Sequence, residues 1–313
     1  MKKFLRWFIL GGTLFFVGKA LKDHWLEVAV IRIDAVGWSI LTIATGITLF
    51  AHIWAGWMWI WILKEFHQSV STPKFIQVYL KTNIAKYLPG NVWHYYGRIL
   101  AAKNAHVSSG IATLSVLLEP LLMAAAALII VVLFGSELAI NNNNLGINNL
   151  GVNNLGIQIV KLIGLLILLA AVHPWFLNPV IGFLYQLKNK GVSNQSISDF
   201  TLERYPFRPL LGELVFLCLR GTGFILTIFA LTPVNFEQIP LLFGAFSFAW
   251  VLGLVVPGAP GGLGVFEVTA IALLQHRFPA ALVISAIALY RLISILAEVV
   301  GAGFASLDEG FSS

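Results

Sequence analysis

The sequence predicts an all-α protein, a polytopic membrane bundle of about seven or eight transmembrane helices. Three observations predict it. Of 313 residues, 58% are hydrophobic and only 11% are charged, whereas soluble domains carry roughly 25% charged residues. Several apolar runs reach the roughly 20 residues that cross a bilayer as a helix. Lysines and arginines are also gathered into particular loops, as the positive-inside rule requires. Length favours one integral membrane domain over residues 1–313, with no sizeable soluble unit. The single cysteine, Cys218, lies in an apolar run, so no intrachain disulfide is expected and redox compartment is unreadable.

Met1 to Leu21 begins with Lys2, Lys3 and Arg6 and continues apolar through Val17. It is read as a retained first helix with a cytoplasmic N-terminus rather than as a cleaved signal peptide. Ala35 to Leu63 is a second span, with Trp54, Trp57, Trp59 and Trp61 as an aromatic belt at its far end. His52 reads as a satisfied interior histidine. Residues 74–106 carry Lys74, Lys81, Lys86, Arg98 and Lys103 and no acid. That charge disfavours a lipid-exposed span. Two readings stand here: a re-entrant or interfacial helical hairpin broken at Pro89-Gly90-Asn91, or an amphipathic cytoplasmic loop held near anionic lipid.

Val107 to Phe134 is the third span, with Glu119-Pro120 expected to interrupt it. An Asn-rich stretch at 141–156 repeats Asn-Asn-Leu-Gly and reads as a low-complexity external loop without assigned function. Residues 157–172 form a fourth span, longer if His173-Pro174 is only a kink. The basic connection with Lys188, Lys190, Arg204 and Arg208 is cytoplasmic, and Leu210 to Leu231 is the next span. Residues 239–257 and 263–275 flank Val256-Pro-Gly-Ala-Pro-Gly-Gly-Leu-Gly-Val-Phe-Glu267, and 280–304 form the last long helix. Pro257, Pro260 and four glycines break the helix there. A re-entrant pair or two short spans would leave the C-terminus cytoplasmic; one broken crossing would leave it external. Together 239–276 and 74–106 are the two broken segments of the bundle.

Ionisable side chains within apolar spans are costly and mark function. The candidates are Glu119, Arg220, Glu267, Arg291 and Glu298, joined by Arg98 of the basic segment. Internal ion pairing that locates the helices is the structural alternative for each. Arg291 and Glu298 share a helix face, as do Glu213 and Arg220. A helix starting after Gly261-Gly262 and Gly264 presents unpaired N–H groups, a ready site for phosphate or carboxylate. Discontinuous helices in corresponding places of two halves are how transporters build such sites. No phosphate-loop, metalloprotease or paired-cysteine motif is present, so no catalytic residue, metal or cofactor is expected.

Lys86-Tyr-Leu-Pro-Gly-Asn-Val-Trp93 with Gly97-Arg98, Pro260-Gly-Gly-Leu-Gly-Val-Phe-Glu267, and Tyr290-Arg291 with Glu298 resemble the transmembrane region of lysylphosphatidylglycerol synthases. That family includes the flippase part of the multiple peptide resistance factor and stand-alone relatives. The resemblance covers essentially the whole chain and implies a bundle with re-entrant segments in a plasma (inner) membrane. It also implies the handling of lipids with phosphate-containing head groups, either phospholipid or polyprenyl-phosphate-linked. No aminoacyl-transferase domain is expected on this chain, so synthase activity is not carried over. The leading expectation is a lipid flippase with no nucleic-acid partner. The alternatives are a membrane-embedded transferase acting on a lipid-linked donor, or a scaffold for a separate soluble transferase.

Overall fold

The computed structural model describes residues 32–87, 92–135, 154–179, 201–256 and 260–312. The first predicted span, Pro89-Gly90-Asn91, Pro257 and most of the Asn-rich stretch lie outside the described residues. Among the described residues the fold is entirely helical, without strands. Five helices are long and apolar enough to cross a membrane.

The first, α1 (Ala35–Glu65), opens on Asp34, whose carboxylate accepts from the Gly37 N–H at 2.7 Å. That side chain satisfies one of the orphan donors of the first turn. After a short turn come α2 (Thr72–Asn83), a 3₁₀ turn (Ile84–Tyr87) and α3 (Trp93–Asn104). Helices α2 and α3 hold 12 residues each, or roughly 18 Å of rise, well short of a 30 Å hydrocarbon core. Next is α4 (Ser109–Phe134), capped by the Ser108 hydroxyl. Pro120 sits inside α4, and the helix runs through it unbroken, contrary to the interruption expected at Glu119-Pro120. A proline removes one internal hydrogen bond, and the buried face of α4 outweighs that loss through packing on both sides of it. Helix α5 (Asn154–Val172) ends at a bend at His173, after which helical backbone resumes at 174–179, so His173-Pro174 acts as a kink.

The C-terminal part begins with α6 (Phe207–Phe229), followed by α7 (Ile239–Val255), a 3₁₀ turn (Pro260–Gly262), α8 (Val265–Leu274) and α9 (Ala280–Ser312). The last helix continues eight residues beyond the expected 304. Helix α6 packs on α1 along small residues of both helices. A Cβ on Gly223 would stand 2.7 Å from the Thr48 hydroxyl oxygen, and one on Gly212 would overlap Met58. Small residues let helix backbones approach where lipid offers no competing hydrophobic drive.

The exterior is apolar as well as the core. Ile43, Leu133, Leu166, Leu292 and Phe304 project outward and exposed, while Glu119, Glu213, Arg220 and Glu298 are buried. Such an apolar exterior with ionisable groups inside suits a membrane-embedded chain, whose surrounding solvent is hydrocarbon.

Two interruptions meet in the interior. The 3₁₀ turn at Ile84–Tyr87 packs against the one at Pro260–Gly262, and a Cβ on Gly261 would lie 3.0 Å from the Tyr87 ring. Gly261, Gly262 and Gly264 all have positive φ, at 59°, 71° and 89°. Only glycine takes these values without strain. Gly262 also lies against Gly253 of α7, which a Cβ on Gly262 would approach to 3.2 Å. An aromatic cluster of Phe224, Phe246, Phe266 and Tyr290 packs beside this turn, with ring centroids 5.4 to 6.1 Å apart. It joins α6, α7, α8 and α9. Gly262→Val combines a β-branched residue at positive φ with backbone overlap, so a loss of about 2–4 kcal/mol is expected. Thermal unfolding of the detergent-purified protein measures it, with Gly46→Val, whose Cβ meets nothing within 4 Å, as the exposed-helix control.

Candidate functional site

Each carboxylate near the breaks is held by a base from another element. On α8, Glu267 accepts from the Gly264 N–H of its own helix start and from Nε of Arg291 on α9. The two terminal nitrogens of Arg291 donate to the carbonyls of Gly261 at 3.2 Å and Gly262 at 3.1 Å. Its guanidinium also lies 4.9 Å from the centroid of the Phe266 ring. One arginine therefore satisfies the acceptors that the broken helix exposes and neutralises the acid beside them. The donor expected to be offered to an external anion at Gly264 is turned onto Glu267.

The second centre lies where the first break meets α1 and α9. Lys86, in the 3₁₀ turn, donates to Oε1 of Glu298 at 2.6 Å. His52 Nε2 stands 3.2 Å from the same oxygen and 3.4 Å from the Arg220 guanidinium. Asn83 Nδ2 is 3.4 Å from His52 Nδ1. The third centre joins α2, α3 and α4. Arg98 donates to Glu119 at 2.8 Å, and both side chains are only 2% exposed. The Tyr79 hydroxyl donates to the other Glu119 oxygen at 2.7 Å, and the Arg98 guanidinium lies 3.6 Å from the Tyr79 ring centroid.

Between these centres are two adjoining cavities of about 120 Å³ and 110 Å³. Lys86, His94, Tyr95, Arg220, Trp250 and Leu254 line both. Gly261, Gly262 and Arg291 line the first, and Arg98 and Glu119 the second. Arg220 is the exception to the pairing rule. Among the described residues it has no carboxylate within 4.0 Å and its Nε has no hydrogen-bond partner; a terminal nitrogen lies 3.4 Å from His52 Nε2, and the guanidinium 5.2 Å from the Tyr290 ring centroid. The Tyr290 hydroxyl donates to the Arg220 backbone carbonyl at 3.3 Å and fixes its helix against α9. A buried guanidinium facing two cavities presents donors in a planar fork suited to phosphate or carboxylate.

The candidates Arg98, Glu119, Arg220, Arg291, Gly261 and Gly262 thus line the two cavities, while Glu267 and Glu298 pair with lining cations and Gly264 donates to Glu267 behind the wall. Arg291 and Glu298 share a helix but take different partners, Glu267 and Lys86. Glu213 is fully buried on α6, and neither of its oxygens has a hydrogen-bond partner. Of the helix-break residues, Trp93 is the exposed first residue of α3, and Pro260 opens the second 3₁₀ turn. Pro89, Gly90, Asn91 and Pro257 lie outside the described residues. Sequence reasoning did not place Lys86, His52, Tyr79, Asn83, His94 or Tyr95 in the site. Charge counting held the signal for one of them: Glu298 needs an interior cation, and Lys86 stands beside the predicted break. Among the described residues no three His, Cys, Asp or Glu side chains gather to hold a metal ion.

In comparisons with known proteins, the sequence matches no family model and no curated protein.

Truncating Arg98 to leucine leaves Glu119 buried without its cation, and a loss of about 3–5 kcal/mol is expected. Removing both partners in Arg98→Leu/Glu119→Leu recovers most of it, since the isolated charge rather than the lost attraction carries the penalty. Unfolding of the two variants in detergent, compared with wild type, measures the difference.

Proposed function

We propose that the protein moves a lipid with a phosphate-containing head group between membrane leaflets, as a flippase of the type that the motif resemblance implies. The observation that carries this reading is Arg220, a buried guanidinium without a carboxylate partner that faces both cavities where the two helix breaks meet. An uncompensated cation there is expensive unless an anion comes to it. A phosphodiester is such an anion, and it carries acyl chains that remain in lipid while the head group enters. Lys86 and Arg291 line the same cavity but are each paired with a carboxylate, which leaves Arg220 as the lining cation without one. His94, Tyr95 and Tyr87 supply polar groups along its wall.

In this reading α2–α3 and α7–α8 are re-entrant hairpins whose tips meet inside the bundle. Met1 to Leu21, read from the sequence, and α5 then join α1, α4, α6 and α9 as the full crossings, with the two hairpins between them. The N-terminus lies in the cytoplasm of a cell whose plasma membrane holds the protein, and the basic loops follow it. Helix breaks at the interior end of such hairpins are tolerated because they line a polar cavity rather than lipid. Sliding of one hairpin tip past the other would open the chamber to either leaflet, and the Arg291–Glu267 and Lys86–Glu298 pairs are the contacts that hold each tip.

Reconstitution into vesicles containing head-group-labelled phospholipid tests the proposal. Wild type is expected to move the label across the bilayer and return it chemically unaltered. Arg220→Ala removes a charge-assisted contact of about 1.5–3 kcal/mol, hence roughly ten- to hundredfold in rate. Arg220→Lys keeps the charge but loses the fork and is expected to fall between. Equal rates for wild type and Arg220→Ala in folded protein would sink the assignment, and a covalently altered lipid would replace it with transferase chemistry.

A further inference from the structure

A second groove lies on the outside of the bundle and shares no lining residue with the chamber. It has a volume of about 480 Å³ and runs between the C-terminal end of α1 and the N-terminal end of α6. Its wall is apolar and aromatic: Trp54, Trp61, Leu211 and Val215. The Trp54 indole N–H donates to the Gly212 carbonyl at 2.8 Å, so this wall is pinned across the two helices. Trp54, Trp57 and Trp61 stack edge to face, with centroids 5.4 to 6.5 Å apart. Indoles that pack on one side and remain open on the other are the usual markers of head-group depth.

Charge at the mouth is the second observation. Lys64, in the last turn of α1, and Arg208, in the first turn of α6, both line the groove and are exposed. Glu65 lines it too, so two cations face one carboxylate. Among the described residues none of these three makes an ion pair within 4.0 Å. Two unpaired cations above an apolar slot match a ligand with one anionic end and a hydrocarbon tail.

We infer that this groove is a binding site for an anionic phospholipid, with its phosphate between Lys64 and Arg208 and one acyl chain along Trp61, Leu211 and Val215. The site is lateral and retains lipid from the leaflet in which the α1 C-terminus ends. A zwitterionic lipid fits the slot equally but gains less at the mouth, because its head group brings its own cation. Occupancy clamps α1 to α6, the helices that carry His52 and Arg220.

The test uses the full-length protein in phosphatidylcholine vesicles containing bromine-labelled phosphatidylglycerol or, separately, bromine-labelled phosphatidylcholine. Tryptophan quenching is read as a relative binding constant. Wild type is expected to prefer the anionic lipid, and each of Lys64→Gln and Arg208→Gln to reduce that preference about fivefold, as one basic group near a membrane surface supplies. Leu211→Trp, which fills the slot without changing charge, is expected to lower binding of both lipids. Trp54→Phe/Trp61→Phe is expected to remove the selective part of the quenching. Lys74→Gln/Lys103→Gln, which removes two exposed bases elsewhere, is expected to leave the preference intact. An equal loss in that control, or no preference in wild type, overturns the site and assigns the effect to general surface charge. Flipping rates of the same variants are a separate readout, so this inference and the transport reading stand or fall independently.

Discussion

The constraint on which the whole structure depends is the cost of placing charge where water is scarce. Lys86, Arg98 and Arg291 each reach a carboxylate on a different element, at Glu298, Glu119 and Glu267. These pairs are tertiary contacts: α3 to α4, α8 to α9, and the first 3₁₀ turn to α9. Removing one partner strands the other in a low-dielectric interior, which costs more than the pair itself contributes. Helix positions in the bundle are therefore coupled through charge, while the outer faces, being apolar against lipid, do little to select them.

The same constraint explains how an unwound segment survives inside the bundle. Backbone that leaves the helix exposes carbonyls and amides that hydrocarbon cannot satisfy. At Pro260–Gly264 the acceptors are covered by Arg291 and one donor by Glu267. The Phe224, Phe246, Phe266 and Tyr290 rings fill the space beside them. Glycine is needed at three positions because the chain turns through positive φ with no room for side chains between α7 and Tyr87. Break, ion pair and aromatic cluster are thus one unit, and the cavity wall is its surface.

Against this pattern of matched charge, Arg220 and Glu213 are informative because each lacks an opposite partner. They lie two helical turns apart on α6, yet they face different surroundings. Arg220 opens onto the cavities, whereas Glu213 is enclosed and has no hydrogen-bond donor in reach. Helix α6 therefore carries both the cation that an incoming anion would meet and a buried acid that no described contact satisfies. Its N-terminal end also forms one wall of the lateral groove, so chamber and groove share a helix but not a lining residue.

Much of the fold could be read from local pattern, because lipid imposes a simple rule on length and polarity. Runs of apolar residues marked α1, α4, α6 and α7 within a few residues and α9 at its start, and proline with glycine marked the second break. The interior candidates Arg98, Glu119, Arg220, Glu267, Arg291 and Glu298 stood out because each is expensive in an apolar setting. Pro120 misled, since a missing hydrogen bond is a local loss and the packing that outweighs it is tertiary. His52 and Tyr79 were illegible as site residues for a related reason: nothing within a helical turn of either reveals its partner. Composition and hydropathy alone determined an all-helical membrane-type chain with costly ions inside it. Only the tertiary structure decided which ions pair, that the two breaks touch, and that Arg220 is left facing a cavity, because those outcomes depend on contacts between helices far apart in the sequence.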